Sequence, residues 1–537
     1  MKRWPWSILT VLTAALFLFS ACGGTSTGTG EGPTTADQVL HDWLTTDPKT
    51  FDVQGDTTIA VYEMGRNLYS TLVRYKKGTL ELEPELLAKM PEISPDGLTY
   101  SFELRDNIVA SDGTTRLTSS DVLYTIKRML DPNGGGASPW LFEPIKGAKD
   151  FMEGKTQDIE GFIIQDDTHF QIVLEAPYAP FLQYLAVPAA SIYIESLVKA
   201  AGDEWPTKPV GTGPFYLDTY IPDQKIVFKK NPYYFEEGLP KLDAIEIRII
   251  PDEATGLLDF EKGTFDITSI PDTDFERITT SGKYTILKND ALNTYFFLFN
   301  MDNPQFADKR VRQAIAMAID KEKMVKTLLG GRGSVAHAFV TPGIPGAFPP
   351  GEGPALPYDP EKAKALVEEA GATGKTITIW QSGKAGDSAS NTNLAIQEML
   401  RAIGLELKVE IRDRSAYFEA RAKGEIPGYQ GNWWADFPDP DNYLWTFFHS
   451  SSSKRYSSNY KNPEVDRLLE AALNSSDPAE RARLYQRVED IVVGEDVAVV
   501  PLYHLQQFRA LQPNVKDVVM YQTGLVDYRW TYKEPGR

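Results

Sequence analysis

The fold class is decided by three consecutive segments, Thr376-Ile-Thr-Ile-Trp380, Leu394-Ala-Ile-Gln-Glu-Met-Leu-Arg-Ala-Ile403 and Leu405-Glu-Leu-Lys-Val-Glu-Ile411. Their residue patterns predict a strand, a helix and a strand. This order is typical of an α/β lobe with a mainly parallel sheet, because parallel neighbours need a crossover connection between them. We therefore predict an α/β protein.

Segments on both sides of this unit continue the mixture of strands and helices. Residues 98–104 alternate apolar and polar side chains, which predicts a strand with one buried face. Residues 294–300 are apolar on both faces, as expected of a strand between two layers. Thr118 stands three residues before Asp121, a capping pattern that predicts the start of a helix ending near residue 130.

A second informative stretch is Gly431-Asn-Trp-Trp-Ala-Asp-Phe-Pro-Asp-Pro-Asp-Asn-Tyr443. Its two prolines rule out a continuous helix, so we predict a loop or the end of a strand. A carboxylate among indole rings suits a pocket for an ammonium group, with charge from Asp436 and ring faces from Trp433 and Trp434. The alternative is that the tryptophans belong to the core and the aspartates to a solvated turn.

The N-terminus has the pattern of a secretory signal. Lys2 and Arg3 precede the mainly apolar residues 8–19, and small residues follow, which predicts a signal peptide at 1–21. The apolar run is too short to span a bilayer. Cys22 follows the predicted cut and resembles the lipidated cysteine of a bacterial lipobox, with Phe19 where that motif prefers leucine. Residues 22–36 predict a flexible tether.

Length and composition narrow the function classes. The chain has 537 residues, which indicates two to four lobes. Cys22 is the single cysteine, so neither an internal disulfide nor a thiolate metal cluster can form. The formal charge of −19 becomes −21 when Lys2 and Arg3 leave with the signal, which argues against nucleic acid as a partner.

Enzyme and metal motifs are missing from the sequence. The five histidines are scattered, and neither a His-Glu-x-x-His motif nor a Gly-x-Ser-x-Gly elbow occurs. Residues 370–376 resemble the end of a phosphate loop but precede a strand, and Phe447 stands where an EF-hand needs glutamate. We predict no enzyme, no cofactor and no metal site. The pair of carboxylates of a glycosidase has no fixed spacing, so a secreted glycoside-active enzyme stays open as the less favoured alternative.

Several blocks together resemble the extracytoplasmic solute-binding proteins of bacterial peptide and nickel ABC importers, the oligopeptide- and dipeptide-binding family. The matching blocks follow the family's order and span nearly the whole mature chain: residues 98–105, 112–113, 120–122, 211–215, 231–234, 306–320, 358–363 and 433–442. The resemblance implies a periplasmic-binding-protein-like fold, in which hinge strands join two α/β lobes and an extra subdomain is inserted in the first lobe.

Carried over to this sequence, the first lobe comprises residues 37–75, 187–291 and 504–537. The inserted subdomain comprises 76–186, and the second lobe 292–503. The hinge strands are 294–299 and 499–503. We use these ranges as the definitions of first lobe, inserted subdomain and second lobe.

The same resemblance implies that the chain captures a short peptide between two closing lobes and delivers it to a membrane permease. It implies an extracytoplasmic monomer, anchored to the membrane by lipid on Cys22. Some relatives bind nickel chelates and others oligosaccharides. The paired tryptophans at 433 and 434 are natural stacking surfaces for a sugar, so these ligands remain alternatives.

The resemblance also assigns roles to individual residues. Asp436 falls where peptide binders pair an aspartate with the ligand's α-ammonium group, and Arg421 where oligopeptide binders face a peptide carboxylate. A second arginine of the family is here Gln430. Tyr62 and Tyr503 match positions that line the cleft, and each equally suits a core. Trp380 ends a strand, where α/β sheets present loops to a crevice.

Overall fold

Strand pairing organises the computed structural model, which describes residues 38–384, 386–387 and 389–535. The predicted strand-helix-strand unit is confirmed. Strand Thr376–Ser382 runs parallel to strand Glu406–Arg412, and helix Asn391–Ala402 connects them. The predicted signal peptide, tether and Cys22 lie outside the described residues.

The prediction of a mainly parallel sheet is wrong. Within the described residues, the only other parallel pair joins Val39–Leu44 to Ala244–Ile249, and every other ladder is antiparallel. A parallel neighbour needs a crossover of a dozen or more residues, whereas antiparallel strands can return through short turns. The pattern at 376–411 correctly predicted one parallel pair with its crossover helix. The strand directions in the larger neighbouring sheets could not be predicted from it.

The longest strand, Val499–Leu511, connects two regions of the molecule. Its first half pairs with Asn293–Phe299, and its second half pairs with Thr285–Asp290 and Ile267–Ser269. Strand Gly428–Trp434 lies on the other side of Asn293–Phe299. All residues of Asn293–Phe299 except Tyr295 are buried, which confirms the prediction of a strand that is apolar on both faces.

The remaining strands form smaller sheets. A four-stranded sheet has the order Val39–Leu44, Ala244–Ile249, Lys225–Lys230, Phe215–Ile221. A second has the order Glu92–Ile93, Thr99–Glu103, His169–Val173, Phe162–Ile164. Short strands complete the set: Val73–Tyr75 with Leu82–Pro84, Val515–Lys516 with Tyr532–Lys533, Val519–Met520 with Val526–Asp527, and Gly333–Val335 beside the long strand.

Most helices begin at the capping residues that their sequences predict. Asp359 caps helix Pro360–Glu369: it accepts a hydrogen bond from the backbone N–H of Lys362, and Pro360 lies in the first turn. Asp308 caps helix Lys309–Ala318 and accepts from the backbone N–H of Arg310. The α-helices are Ile59–Leu68, Ser119–Leu130, Ala148–Met152, Phe181–Tyr184, Glu195–Ala201, Glu253–Glu261, Phe275–Thr280, Lys309–Ala318, Lys321–Leu328, Pro360–Glu369, Asn391–Ala402, Arg414–Lys423, Asp441–Phe448, Pro463–Asn474 and Pro478–Glu489.

Apolar side chains form several cores, some of which cross the boundaries of the predicted ranges. One core lies mostly within the inserted subdomain and also includes first-lobe residues such as Leu72, Ile194 and Tyr521. A second lies under the four-stranded sheet of the first lobe. Two more cover the faces of the central strands of the second lobe. Phe437 of the second lobe belongs to the core of the inserted subdomain, so these two regions are in direct contact.

Buried polar groups accompany this contact. The backbone N–H of Ala179 donates to the carbonyl of Leu473 at 3.0 Å, and the Tyr178 hydroxyl donates to Asp441 Oδ2 at 3.4 Å. Asp439 accepts from Arg481, and its charge lies close to Asp441. Burial, and then the neighbouring charge of Asp439, raises the pKa of Asp441 to about 8.

We expect Asp441→Asn to stabilise the protein at alkaline pH. The folded chain keeps Asp441 protonated up to about pH 8, whereas the unfolded chain ionises it near pH 4, a value of about 3.9 for a free aspartate. The free energy of unfolding therefore falls as pH rises across this window. The amide has no such dependence. At pH 8.5 the Asp441→Asn variant should therefore melt at a higher temperature than the parent. Its free energy of unfolding should be larger by at least about 1.4 kcal/mol, the equivalent of one pKa unit.

Melting curves at pH 4.5 and 8.5 check this expectation, with the exposed Asp203→Asn as the matched control. At pH 4.5 the Asp441→Asn variant should match the parent protein. An equal loss of stability at both pH values would show that the carboxyl group itself is required at this interface.

The described residues contain neither a membrane-spanning helix nor a cluster of metal ligands. No helix there has the length and apolar character that a bilayer crossing requires. No group of three or more His, Cys, Asp or Glu side chains there is arranged to hold a metal ion.

Candidate ligand-binding site

The stretch 431–443 changes from strand to turn to helix within a few residues. Strand Gly428–Trp434 ends the ladder, and the backbone N–H of Ala435 still donates to the carbonyl of Leu292 at 2.8 Å. Pro438 and Pro440 then stop regular pairing, and helix Asp441–Phe448 begins directly after them. The prediction of a loop or the end of a strand is confirmed for residues 431–440, whereas residues 441–443 already belong to the helix, and Asp436 lies at the bend.

Asn442 fixes this bend with its side chain. Its Oδ1 accepts hydrogen bonds from the indole N–H of Trp433 at 2.9 Å and from the backbone N–H of Asp436 at 3.2 Å. Its amide donates a longer one, 3.4 Å, to Asp436 Oδ2. Asn442 therefore positions Asp436 and leaves most of the acceptor capacity of the carboxylate free.

Asp436 borders a cavity of about 350 Å³ between all three predicted regions. Such a volume lies at the lower end of the range for small-molecule sites, about 300–1,000 Å³. The first lobe, inserted subdomain and second lobe each contribute to the wall. Residues that line the cavity include Tyr62, Arg66, Tyr75, Trp140, Trp434 and Asp436.

The Asp436 side chain is exposed where it borders the cavity, and protein atoms around the bend remove part of the hydration of its carboxylate. This partial loss of hydration raises its pKa above the ordinary value, and the hydrogen bond from Asn442 offsets the rise only in part. Among the described residues, no Lys, Arg or His forms an ion pair with it. Asp436 is thus a partly dehydrated anion that an incoming cation would stabilise.

Tyr62 faces Asp436 from the first lobe. Burial raises the pKa of the Tyr62 hydroxyl, the negative charge of Asp436 raises it further, and Ser138 of the inserted subdomain opposes the rise. The phenol therefore stays protonated and can donate a hydrogen bond. Because Tyr62 and Asp436 belong to different lobes, a ligand that touches both would bridge the lobes.

The two tryptophans point to opposite faces of their strand. Consecutive strand residues alternate in direction. Trp433 lies edge-on to Phe447 and Tyr456, with ring centroids 5.3 and 5.5 Å apart, whereas Trp434 is 38% exposed and lines the cavity. Of the two rings, only Trp434 lines this cavity, and Trp433 packs against the core, as the alternative interpretation expects.

We expect the two tryptophans to differ on mutation. Trp434→Ala should weaken ligand binding and leave the melting temperature nearly unchanged, because its ring contacts the cavity more than the core. Trp433→Ala should destabilise the fold by roughly 3 kcal/mol, the low end for a buried aromatic side chain. Thermal unfolding and ligand titration of both variants check this contrast. Equal loss of stability in the two variants would contradict it.

The other predicted site residues lie outside the wall of this cavity. The guanidinium of Arg421 lies over the rings of Phe418 and Tyr456, at 4.7 and 5.2 Å from their centroids. Tyr503 is 3% exposed, stacks on Tyr295 and lies within hydrogen-bonding distance of Thr392. Trp380 packs under the guanidinium of Arg412. Of the seven predicted residues, the structure brings Tyr62, Trp434 and Asp436 together.

Several lining residues were missed from the sequence. Trp140 and Ser138 come from the inserted subdomain, and Thr523 and Leu525 from the C-terminal region. These segments are remote in sequence and carry no local motif. Arg66 is the exception, since it follows Tyr62 by four residues and therefore lies on the same face of helix Ile59–Leu68.

Comparison with known proteins gives a family match. Residues 81–455 match the family model described as "Bacterial extracellular solute-binding proteins, family 5 Middle". This range covers more than half of the chain and includes most of the inserted subdomain and the bend at Asp436.

Individual relatives extend the similarity over most of the length. Dipeptide-binding protein DppE of Bacillus subtilis (strain 168) is 27% identical over 517 residues, 93% of each chain. Heme-binding protein A of Haemophilus influenzae is 31% identical over 479 residues, 86% of this chain and 85% of the relative. The solved structure of periplasmic binding protein DppA from Helicobacter pylori, in complex with peptide STSA, has 28% identity and a TM-score of 0.72, and the match covers 92% of this chain and 98% of that one.

Proposed function

Because the chain belongs to family 5 of the bacterial extracellular solute-binding proteins, we propose that its solute is a short peptide held in the cavity at Asp436. The fold is that of the periplasmic binding proteins, as predicted. In this role the protein captures its solute outside the cytoplasm and presents it to the permease of an ABC importer. Capture of this kind requires no covalent chemistry on the ligand.

The observation that carries the proposal is the unpaired carboxylate of Asp436 in the cavity wall. A partly dehydrated carboxylate without a cationic partner is unfavourable, and an ammonium group offsets that cost by charge and by hydrogen bonds. The α-ammonium group of a peptide fits this position, since it is compact and has three donors. Two relatives named for dipeptides or bound to a peptide support the choice.

Closure of the lobes follows from the same geometry. Tyr62 and Asp436 approach the ligand from opposite lobes, so a bound peptide stabilises the closed arrangement by contacts that an open one lacks. We propose that the lobes rotate about the strands near residues 290–293 and 503–506, where the long strand Val499–Leu511 changes partners.

Oligosaccharide binding has less support in the cavity. The paired-tryptophan argument fails because Trp433 faces away from Trp434. Haem would call for an axial ligand, and the described residues that line the cavity offer no histidine, cysteine or methionine. Tyr62 and Tyr75 would have to ligate as phenolates, and burial raises the pKa of both hydroxyls. A nickel chelate bound through histidine would meet the same difficulty.

Isothermal titration of the purified protein tests the proposal. The titrants are mixtures of peptides of two to five residues, and cello- and xylo-oligosaccharides as the matched alternative. We expect heat of binding with peptides and none with sugars. Binding of sugars without binding of any peptide would overturn the proposal.

We further propose that the mature protein is a monomer anchored through lipid on Cys22, with residues 22–36 as the tether. The lipobox-like position of this cysteine supports the anchor. Intact-mass measurement of protein extracted from its host membranes tests it. A mass that corresponds to cleavage before Cys22 plus lipid supports the anchor, and an unmodified cysteine overturns it.

A further inference from the structure

The guanidinium of Arg66 lies in the cavity wall and makes no hydrogen bond to the residues that the structure describes. Its side chain is 10% exposed, and its Nε is buried without a partner. The nearest carboxylate oxygen, Asp527 Oδ2, lies 3.5 Å from a terminal nitrogen. Asp527 is already engaged by Arg529, which donates to its Oδ1 from both backbone and side chain. A buried guanidinium with five donors and one long ion pair has capacity for a further anion.

Two hydroxyl groups in the same wall are also without partners. Tyr75 Oη and Thr523 Oγ1 are both buried and accept or donate no hydrogen bond within the described residues. Burial raises the pKa of the Tyr75 hydroxyl, and the positive charge of Arg66 opposes that rise. This effect indicates that the two groups are close to each other. The ring of Tyr521 lies against the guanidinium, with its centroid 5.0 Å away, and keeps it in place.

The spacing of Tyr62 and Arg66 along the cavity wall suits a very short ligand. Tyr62 faces Asp436, and Arg66 follows Tyr62 by one turn of helix Ile59–Leu68, a rise of about 6 Å. Two extended residues span at most about 7 Å. The turn of helix between Tyr62 and Arg66 is therefore about as long as an extended dipeptide.

We infer that Arg66, with the hydroxyls of Tyr75 and Thr523, binds the free carboxylate of a dipeptide whose ammonium group is held by Asp436. The inference rests on the proposed peptide function and assigns the carboxylate to the first lobe, whereas the family resemblance pointed to Arg421 in the second. Each charged end of the ligand then belongs to a different lobe, so only a ligand with both ends free draws the lobes together.

The test compares three forms of the same mixed-sequence dipeptides: free, C-terminally amidated and N-acetylated. Calorimetric titration is carried out on the parent protein and on Arg66→Gln, Arg66→Lys, Arg421→Gln and Asp436→Asn. The exposed Arg414→Gln serves as the neutral control. Circular dichroism and melting curves establish that each variant is folded.

We expect amidation to weaken binding to the parent protein at least tenfold. Arg66→Gln should lose affinity for the free dipeptide at least tenfold and bind the amide as the parent does, so that the preference disappears. Arg66→Lys should keep part of it. Asp436→Asn should instead lose the sensitivity to N-acetylation and keep the sensitivity to amidation.

The inference is overturned if the parent binds amide and acid equally, since this result needs no variant. It is also overturned if Arg66→Gln keeps the full preference, or if Arg421→Gln removes it. Binding of longer peptides but of no dipeptide overturns the inference and leaves the proposed function standing. Binding of no peptide of any length overturns both.

Discussion

Replacement of Asp436 by alanine is expected to weaken peptide binding by about 2 to 5 kcal/mol, the range for truncating one partner of a buried charge pair. In the closed complex the ligand covers this carboxylate. In the alanine variant the ammonium group of the ligand would lose its hydration and face a methyl group instead of a carboxylate. Asp436→Asn should lose most of the same affinity, because the amide keeps the shape and removes the charge. Calorimetry with a free dipeptide measures both losses.

The pH dependence of binding provides an independent check on Asp436. Its pKa is raised in the free protein, and an ammonium ligand would lower it, so the complex binds fewer protons than the free protein. Affinity should therefore be complete above the raised pKa and decline as pH falls through it. The Asp436→Asn variant should lack this decline. Unchanged affinity in Asp436→Ala at neutral pH would remove the residue from the site.

The second large effect is expected for Arg529, which stabilises the wall behind Arg66. Arg529 is 2% exposed and donates to Glu85 Oε1 at 2.7 Å and to Asp527 Oδ1 at 3.0 Å. Burial alone would raise the pKa of Glu85, but the charges of Arg529 and Arg74 hold it below the ordinary value. Burial would likewise raise the pKa of Asp527, but the charges of Arg529 and then Arg66 hold it below the ordinary value.

Arg529→Met should destabilise the protein by about 3 to 5 kcal/mol at pH 7, because it leaves two buried carboxylates without their main cation. The loss should shrink towards pH 4. In the parent both carboxyls stay ionised to below their ordinary pKa values. In the variant, burial without the main cation raises the pKa values of both carboxyls, so that their protonation between pH 7 and pH 4 relieves part of the loss. Denaturant unfolding at the two pH values measures this difference.

The exposed Arg483→Met is the matched control and should leave stability nearly unchanged. A loss in Arg529→Met that is equally large at pH 4 and pH 7 would contradict the charge-based explanation. It would indicate instead that the aliphatic part of Arg529 and its packing on Trp530 account for the effect.

Local patterns in the sequence predicted individual elements well. The capping pair Thr118 and Asp121 marks the start of helix Ser119–Leu130, and the alternation at 98–104 becomes strand Thr99–Glu103 with Tyr100 and Phe102 buried. Such signals succeed because caps and one-sided burial depend on residues a few positions apart. The parallel sheet failed because strand partners are selected by contacts across hundreds of residues.

The site shows the same division. The stretch 431–443 identified the bend that holds Asp436, because prolines and a short Asn442 side chain determine the bend locally. Which tryptophan faces the cavity depends on the register of Gly428–Trp434 against Asn293–Phe299, and a shift by one residue would exchange them. Trp140 and Thr523 reach the cavity only through the arrangement of the three regions.

A crystal structure of the protein with a bound dipeptide tests the central claim most directly. We predict that the ligand lies in the cavity between Tyr62 and Trp434, with its ammonium group within hydrogen-bonding distance of the Asp436 carboxylate. A dipeptide bound elsewhere, or one in this cavity whose ammonium group points away from Asp436, would contradict the claim.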